Sequence, residues 1–304
     1  MDVLVVGGIG LDDIETPSGS VSNAPGGSAW YFAWSAAFFS RVLLVGVIGS
    51  DFPRDEIHAL RLRGVDLQGL QEVSGPSFRW AGRYHEDMNI RDTLRLDLNA
   101  FAEFRPILPV NYRAAEMVFL ANINPDLQLS VLDQMQAPRL VACDTLPYWI
   151  THAPHELRRL LRRVDLLTVN EEEARMLGEE HNLVKAARVL LRLGPRTILV
   201  KRGEYGVLAF SKDAIFAVPA YPLETVVDPT GAGDSFAGGL MGELARSGEL
   251  SSRALRRAIV RGSALASFAV EGFGTCRLVG LTAIDVAGRV DEFTQLTQIP
   301  AGRL

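Results

Sequence analysis

Short apolar runs alternate with helical segments along most of this 304-residue chain, and no other feature constrains its fold as tightly. The runs Val3–Val6, Val42–Val47, Met117–Leu120, Leu140–Ala142, Leu166–Val169 and Ile198–Lys201 have the length and β-branched content of buried strands. Helical patterns lie between them, near residues 27–39, 54–63, 126–136, 154–163, 171–178 and 182–193. Strand-then-helix repetition predicts a largely parallel sheet covered by helices. Towards the C-terminus the rhythm stops, and three helices follow at about 234–247, 252–271 and 282–296.

Two stretches break the rhythm. Residues 13–25, "DIETPSGSVSNAP", read as a short strand, a turn and a return. In residues 77–99, Phe78, Trp80, Gly82 and Tyr84 alternate with Arg79, Ala81, Arg83 and His85; after a turn, Leu94, Leu96 and Leu98 alternate with Arg95, Asp97 and Asn99. Period-two patterning predicts two half-buried strands in a hairpin. Together the two stretches make a small four-stranded flap. Its apolar face needs a cover, either the mouth of the α/β domain or a copy of itself, so a homodimer is expected.

Charge and motif content exclude several classes. A net charge of −5 gives no reason to expect nucleic acid as a partner. No apolar stretch approaches the roughly 20 residues of a membrane span. The opening "MDVLVVGGIG" has no basic region, so neither a leader nor a membrane anchor is expected and the chain reads as cytoplasmic. The two cysteines, Cys143 and Cys276, form no CxxC or Cys/His cluster, which argues against a structural or catalytic zinc. There is no GxxxxGK[ST] motif, and "GGIGLDD" does not satisfy GxGxxG. A P-loop NTPase and a dinucleotide-binding enzyme are both disfavoured.

The stretch "DPTGAGDSF", residues 228–236, carries the chemistry. Gly231 and Gly233 permit backbone conformations that other residues resist, and the apolar spacing after Asp234 is helical. This is a turn feeding a helix N-terminus, where unpaired amides and the helix dipole form an anion site. Phosphoryl transfer needs an anion cradle, cationic help and a group that takes the hydroxyl proton. The amides of Gly231, Ala232 and Gly233 supply the first, and Asp234 beside them can act as the base. Asn170 and Glu173 sit three apart at a helix start, a spacing that also suits a simple capping box. An acidic residue near the end of the first strand, Asp12 with Asp13 as the alternative, faces the usual ligand crevice of an open sheet. A carboxylate there accepts hydroxyl hydrogen bonds.

"DPTGAGDSFAGGL" resembles the C-terminal signature of the ribokinase family, the sugar and nucleoside kinases also grouped with the minor phosphofructokinase. "GGIGLDD", "APGGSAWYFA", "TVNEEEA" and "VKRGEYGVL" follow in family order, so the similarity spans residues 1 to about 296. The resemblance implies a three-layer α/β/α fold with a small β lid formed by about 13–25 and 77–99, all within a single domain, 1–304. It implies Asp234 as catalytic base, and Asp12, Gly26 and Gly27 on the acceptor. Asn170 and Glu173 would organise magnesium, Glu173 through water. Lys201, Gly203 and Gly206 would lie at the nucleotide phosphates, with Gly262 and Ser263 against the adenine. A monovalent cation near Asp228 and Thr230 is implied by the resemblance alone.

The chain departs from the sugar kinases in one place. Where those continue the Gly-Gly with a Lys and, three residues on, an Asn, this chain has Ser28 and Tyr31, which puts ribose in doubt. Asn122, Asn124 and Asp144 supply further polar groups at strand ends, and Asn122 and Asp144 are taken as acceptor contacts. The expected activity is ATP- and Mg2+-dependent phosphorylation of a hydroxyl on a small sugar or polyol. The alternatives are a nucleoside kinase of the same family and a non-catalytic ligand-binding regulator on the same fold.

Overall fold

A computed structural model describes residues 1–298, so residues 299–304 of the unit expected over 1–304 lie outside the described residues. The chain opens with Val3–Val6 (β1) and then leaves the main sheet for a hairpin, Gly10–Thr16 (β2) and Gly19–Gly26 (β3). It returns through helix Ser28–Ala36 (α1), strand Val42–Gly49 (β4), helix Arg54–Leu62 (α2) and strand Val65–Val73 (β5). A second excursion forms Phe78–Tyr84 (β6) and Arg91–Asp97 (β7). The strand–helix rhythm then resumes with Met117–Leu120 (β8), Pro125–Gln134 (α3), Leu140–Cys143 (β9), Pro147–His152 (α4) and Pro154–Leu161 (α5). Leu166–Asn170 (β10), Glu171–Gly178 (α6), Leu183–Leu193 (α7) and Thr197–Lys201 (β11) follow, and Val207–Ser211 (β12) and Ile215–Val218 (β13) close the sheet. Helices Ala232–Ser247 (α8), Ser252–Ala269 (α9), Cys276–Gly280 (α10) and Ala283–Thr297 (α11) complete the described chain.

Nine strands form the large sheet, in the order β13-β12-β11-β10-β9-β8-β1-β4-β5. All neighbours pair in parallel except β12 with β11 and β13 with β12, which are antiparallel. Alternate side chains of each strand point to opposite faces, so β1 sends Val3 and Val5 into one core and Leu4 and Val6 into the other. Buried residues of α1, α8 and α9 belong to the first core, and those of α3, α5, α6 and α7 to the second. This is the expected three-layer fold. A sheet covered on both faces needs strands that are apolar on both sides, and β1, β4, β8 and β9 are buried at every position.

Small residues let α8 enter this packing. A Cβ at Gly238 would lie 2.4 Å from the Phe32 carbonyl oxygen, and one at Gly242 would lie 2.8 Å from that of Ala36. On its other side, Gly239 meets the Gly262 backbone of α9 at 2.9 Å. The small residues after Asp234 therefore bring α8 into backbone contact with α1 and α9. Its N-terminus is held at the carboxyl edge of the sheet.

The lid is a separate sheet, ordered β3-β2-β6-β7. Its first hairpin begins earlier than the 13–25 expected, so Asp12 lies within lid strand β2. Strand β6 joins β2 in parallel, pairing Trp80 with Asp12. One expectation is corrected here: β7 is not half-buried. Leu94, Leu96 and Leu98 are 50%, 55% and 47% exposed, because none of the described residues covers that edge strand. Strand β5 was not expected either, since Asp66, Gln68, Gln71 and Glu72 dilute its apolar pattern at the sheet edge.

Candidate active site

The turn before α8 is pinned from two sides. Asp228 is fully buried and accepts from the amides of Thr230 at 2.8 Å and Gly274 at 3.0 Å. The Val227 amide bonds the Val270 carbonyl oxygen at 2.8 Å. Gly231 then takes φ +74, a left-handed conformation, and a Cβ there would sit 2.3 Å from the Tyr31 ring. No side chain caps α8 at this end. The Ala232 amide turns back to the Pro229 carbonyl oxygen at 3.3 Å, so of the three expected cradle amides it is already engaged. The end remains a site for anions through its dipole and its other amides.

Asp234 stands in the first turn of α8. Burial pushes its carboxyl up to about 6, against the pull of the Lys201 and Arg91 charges, which favour the carboxylate. Lys201 ends β11, and its Nζ lies 2.8 Å from where a Cβ on Gly233 would be. The position therefore admits only glycine without displacing the ammonium. Asp144, just past β9, is buried, and its Oδ1 has no hydrogen-bond partner among the described residues. Burial drives its carboxyl well above the usual carboxylate range, with Asp234 adding to the rise and Lys201 opposing it. Asp144 was expected at the acceptor, and the charges that act on it are those of Asp234, Lys201 and Glu173.

Asn170 and Glu173 form a full capping box. The Asn170 side chain accepts from the Glu173 amide at 2.7 Å, and Glu173 Oε2 accepts from the Asn170 amide at 2.8 Å. The helix cap spends only one Glu173 oxygen. Burial raises this carboxyl, while Lys201 and Arg91 draw it down. Asp144, Glu173, Lys201 and Asp234 thus come together from β9, α6, β11 and α8.

On the acceptor side, Asp12 is 4% exposed and accepts no hydrogen bond among the described residues. Burial pushes it up to about 8, with Asp228, Asp234 and Asp13 adding to the rise. Its Oδ2 lies 2.1 Å from a Cβ built on Gly26, which explains the glycine there. Gly27, at φ +97, passes 2.5 Å from the Gly8 carbonyl oxygen by the same measure. Asn122 follows β8 at the same edge, where its Oδ1 accepts from the Trp149 indole at 2.9 Å. Asp13 turns outward and accepts from the Asn23 amide, so Asp12 is the inward carboxylate.

The lid contributes residues that the sequence reading missed. Thr230 Oγ1 donates to the Tyr84 hydroxyl at 3.1 Å, tying β6 to the turn before α8. Arg91 pairs with Tyr84 across the strands and so shares its inward face. Its charge reaches both Asp234 and Glu173. At the lid tip, Asn89 Oδ1 would lie 2.4 Å from a Cβ on Gly203, which has φ +53. Gly206 turns the chain beside the Val218 carbonyl oxygen. Gly262 packs against the start of α8: a Cβ there would meet the Phe236 carbonyl oxygen at 2.5 Å, which accounts for the glycine by helix packing. Ser263 is buried beside it, with no partner for its hydroxyl among the described residues.

Comparison with known proteins agrees with this geometry. The model of the pfkB family of carbohydrate kinases matches residues 8–282. A cytidine kinase from Thermococcus kodakarensis is 32% identical over 252 residues, 81% of this chain and 89% of that protein. The nucleoside kinase of Methanocaldococcus jannaschii superposes with a TM-score of 0.76 at 21% identity, covering 96% of this chain and 98% of that one. An E. coli protein assigned as ribokinase II, solved with ATP and Mg2+, does so with a TM-score of 0.76 at 20% identity, covering 96% and 99%. The chain belongs to the pfkB family, kinases that transfer a phosphoryl group to a hydroxyl.

Proposed function

We propose that this pfkB-family kinase transfers the γ-phosphoryl group of ATP to a hydroxyl of a nucleoside, with Asp234 as the base. The observation that carries the chemistry is Asp234 at an uncapped helix end, flanked by Lys201 and by a lid arginine. Its carboxyl, raised to about 6, is ionised at neutral pH yet basic enough to accept a proton. The helix end and Lys201 hold the charge that builds on the transferred group. Asp12, ringed by other carboxylates and without a hydrogen-bond donor, binds the acceptor's hydroxyls and is ionised by them as they dock.

Magnesium fits this donor set. Asp144 presents an orphaned carboxylate oxygen beside Lys201, and Glu173 keeps one oxygen outside its cap. Those two residues would hold the ion directly or through water, and it would neutralise phosphate charge when bound. Asp228 accepts one amide on each oxygen, from Thr230 and Gly274, and we assign no monovalent cation to it or to Thr230.

A nucleoside is favoured over a free sugar by the walls of the site. Tyr31 replaces the sugar kinases' asparagine and packs under Gly231. Trp80, Tyr84 and Phe78 line one face of β6, and the cytidine kinase is similar over most of its length. A sugar or polyol acceptor is the second reading, supported by a fructokinase from Klebsiella pneumoniae that is 36% identical over 100 residues. The exposed Leu94, Leu96 and Leu98 support a homodimer in which two lids pair. An ATP-consumption screen across nucleosides, pentoses, hexoses and inositols tests the function. Turnover with a nucleoside at the highest kcat/KM is expected; turnover with none of these acceptors overturns the proposal.

A further inference from the structure

Asn122 has an unusually well-defined amide. An indole N–H can only donate, so the 2.9 Å bond from Trp149 Nε1 settles which end of the carboxamide faces α4: the oxygen does. The Nδ2 group, with two donors, points away from α4 and has no partner among the described residues. Trp149 is itself braced. Its ring meets Tyr148 edge-on at 4.9 Å, and Tyr148 stacks on His152 at 4.3 Å. Tyr148 remains 56% exposed, so α4 presents an aromatic wall beside the amide.

The site then has two polar ends of opposite sign. Asp12, once ionised as the acceptor docks, only accepts, which suits the hydroxyls of a sugar ring. Asn122 offers only donors on its free side. A hydroxyl can both give and take, and needs no fixed amide to recognise it. A ring carbonyl or imine nitrogen can only accept, and a one-sided donor beside aromatic rings selects for it.

We infer that Asn122 is a specificity-determining residue that donates to an acceptor edge, a carbonyl oxygen or ring nitrogen, of the base of the nucleoside. Trp149 is a positioning residue that holds the amide in that orientation. The inference rests on the nucleoside reading and deepens it.

The test is steady-state kinetics with cytidine, uridine, adenosine, inosine and D-ribose on wild type, Asn122→Asp, Trp149→Phe and the double variant, with thermal melts of each. Asn122→Asp keeps an oxygen for Trp149 but removes both donors. It is expected to raise KM for the best nucleoside by about tenfold or more while leaving kcat, the ATP KM and the ribose KM within twofold. Trp149→Phe keeps the ring and frees the amide, and is expected to raise the same KM by about 3- to 10-fold. Because Trp149 acts through Asn122, the double variant should be no worse than Asn122→Asp alone. Unchanged nucleoside KM in Asn122→Asp, additive effects in the double variant, or equal losses for ribose and nucleoside would each overturn the inference. Wild-type turnover of ribose with no nucleoside would instead overturn the nucleoside reading and remove the inference with it.

Discussion

The carboxyl edge of the large sheet and the lid facing it are built by opposite means. At the edge, polar groups are delivered by the ends of strands and helices, and two of them are anchored by backbone amides: Asp228 by those of Thr230 and Gly274, Glu173 by that of Asn170 in its capping box. The lid is tied down by side chains instead. Arg79 donates to Asp51 at 2.9 Å, Thr16 Oγ1 to the Val227 carbonyl oxygen at 2.8 Å, and Thr230 Oγ1 to the Tyr84 hydroxyl at 3.1 Å. Groups fixed by backbone cost little to hold through the reaction, whereas exposed ion pairs are worth at most about 1 kcal/mol each and can open. The edge is thus suited to chemistry that any acceptor needs, and the lid to admitting and enclosing a particular one.

This contrast predicts a division of kinetic effects. The largest loss short of the base itself belongs to Asp12, which sits where the two regions meet. Asp12→Ala should raise the acceptor KM by roughly 100-fold or more while the ATP affinity, measured by calorimetry, stays within a few-fold. A comparable loss of ATP binding would show that the residue does not separate the two substrates. A smaller effect is expected of Arg91, a lid cation whose charge reaches the edge. Arg91→Met should lower kcat by about 10- to 100-fold with a modest change in acceptor KM, since its charge acts on Asp234 and Glu173. If only KM moves, the lid merely covers the site. The smallest effect concerns the exposed strand. Leu96→Lys should raise the acceptor KM a few-fold and shift sedimentation from dimer to monomer. A wild-type protein that sediments as a monomer at micromolar concentration would leave the lid as a single-chain flap.

The two regions also differed in how far the sequence revealed them. The turn before α8 was legible because its determinants are local: glycines at 231 and 233, Pro229, and helical spacing directly after. Asn170 and Glu173 were legible for the same reason: the capping box forms, and Glu173 also stands within reach of the charges on Lys201 and Asp144. Lys201 was placed by resemblance, and the structure shows a tight geometric reason for Gly233 beside it. Arg91 stayed invisible because its direction depends on register. A bulge between Ala81 and Gly82 shifts the pairing so that Arg91 falls opposite Tyr84, and strict alternation does not show a bulge. The apolar alternation of β7 was real but did not predict burial, since an edge strand is covered only by a partner. Gly262 shows another limit of sequence, because a small residue that admits a ligand and one that admits a neighbouring helix look alike there, and the structure adds the packing on α8. Trp149 and Asn122 lie 27 residues apart, and only the fold joins them.

If the acceptor's proton passes to a carboxylate seated at the start of α8, the pH dependence of turnover must carry the signature of that carboxylate. A base with its carboxyl raised to about 6 is protonated and inactive below that pH, so wild-type kcat, measured at saturating acceptor where Asp12 is already ionised, should fall as the pH drops through about 6 and level off above it. Asp234→Asn, measured alongside by calorimetry and kinetics, should bind ATP within a few-fold of wild type, lose roughly 10²–10⁴ in kcat and lack that acidic limb. Turnover of Asp234→Asn within a few-fold of wild type, or an unchanged acidic limb in the variant, would contradict the account.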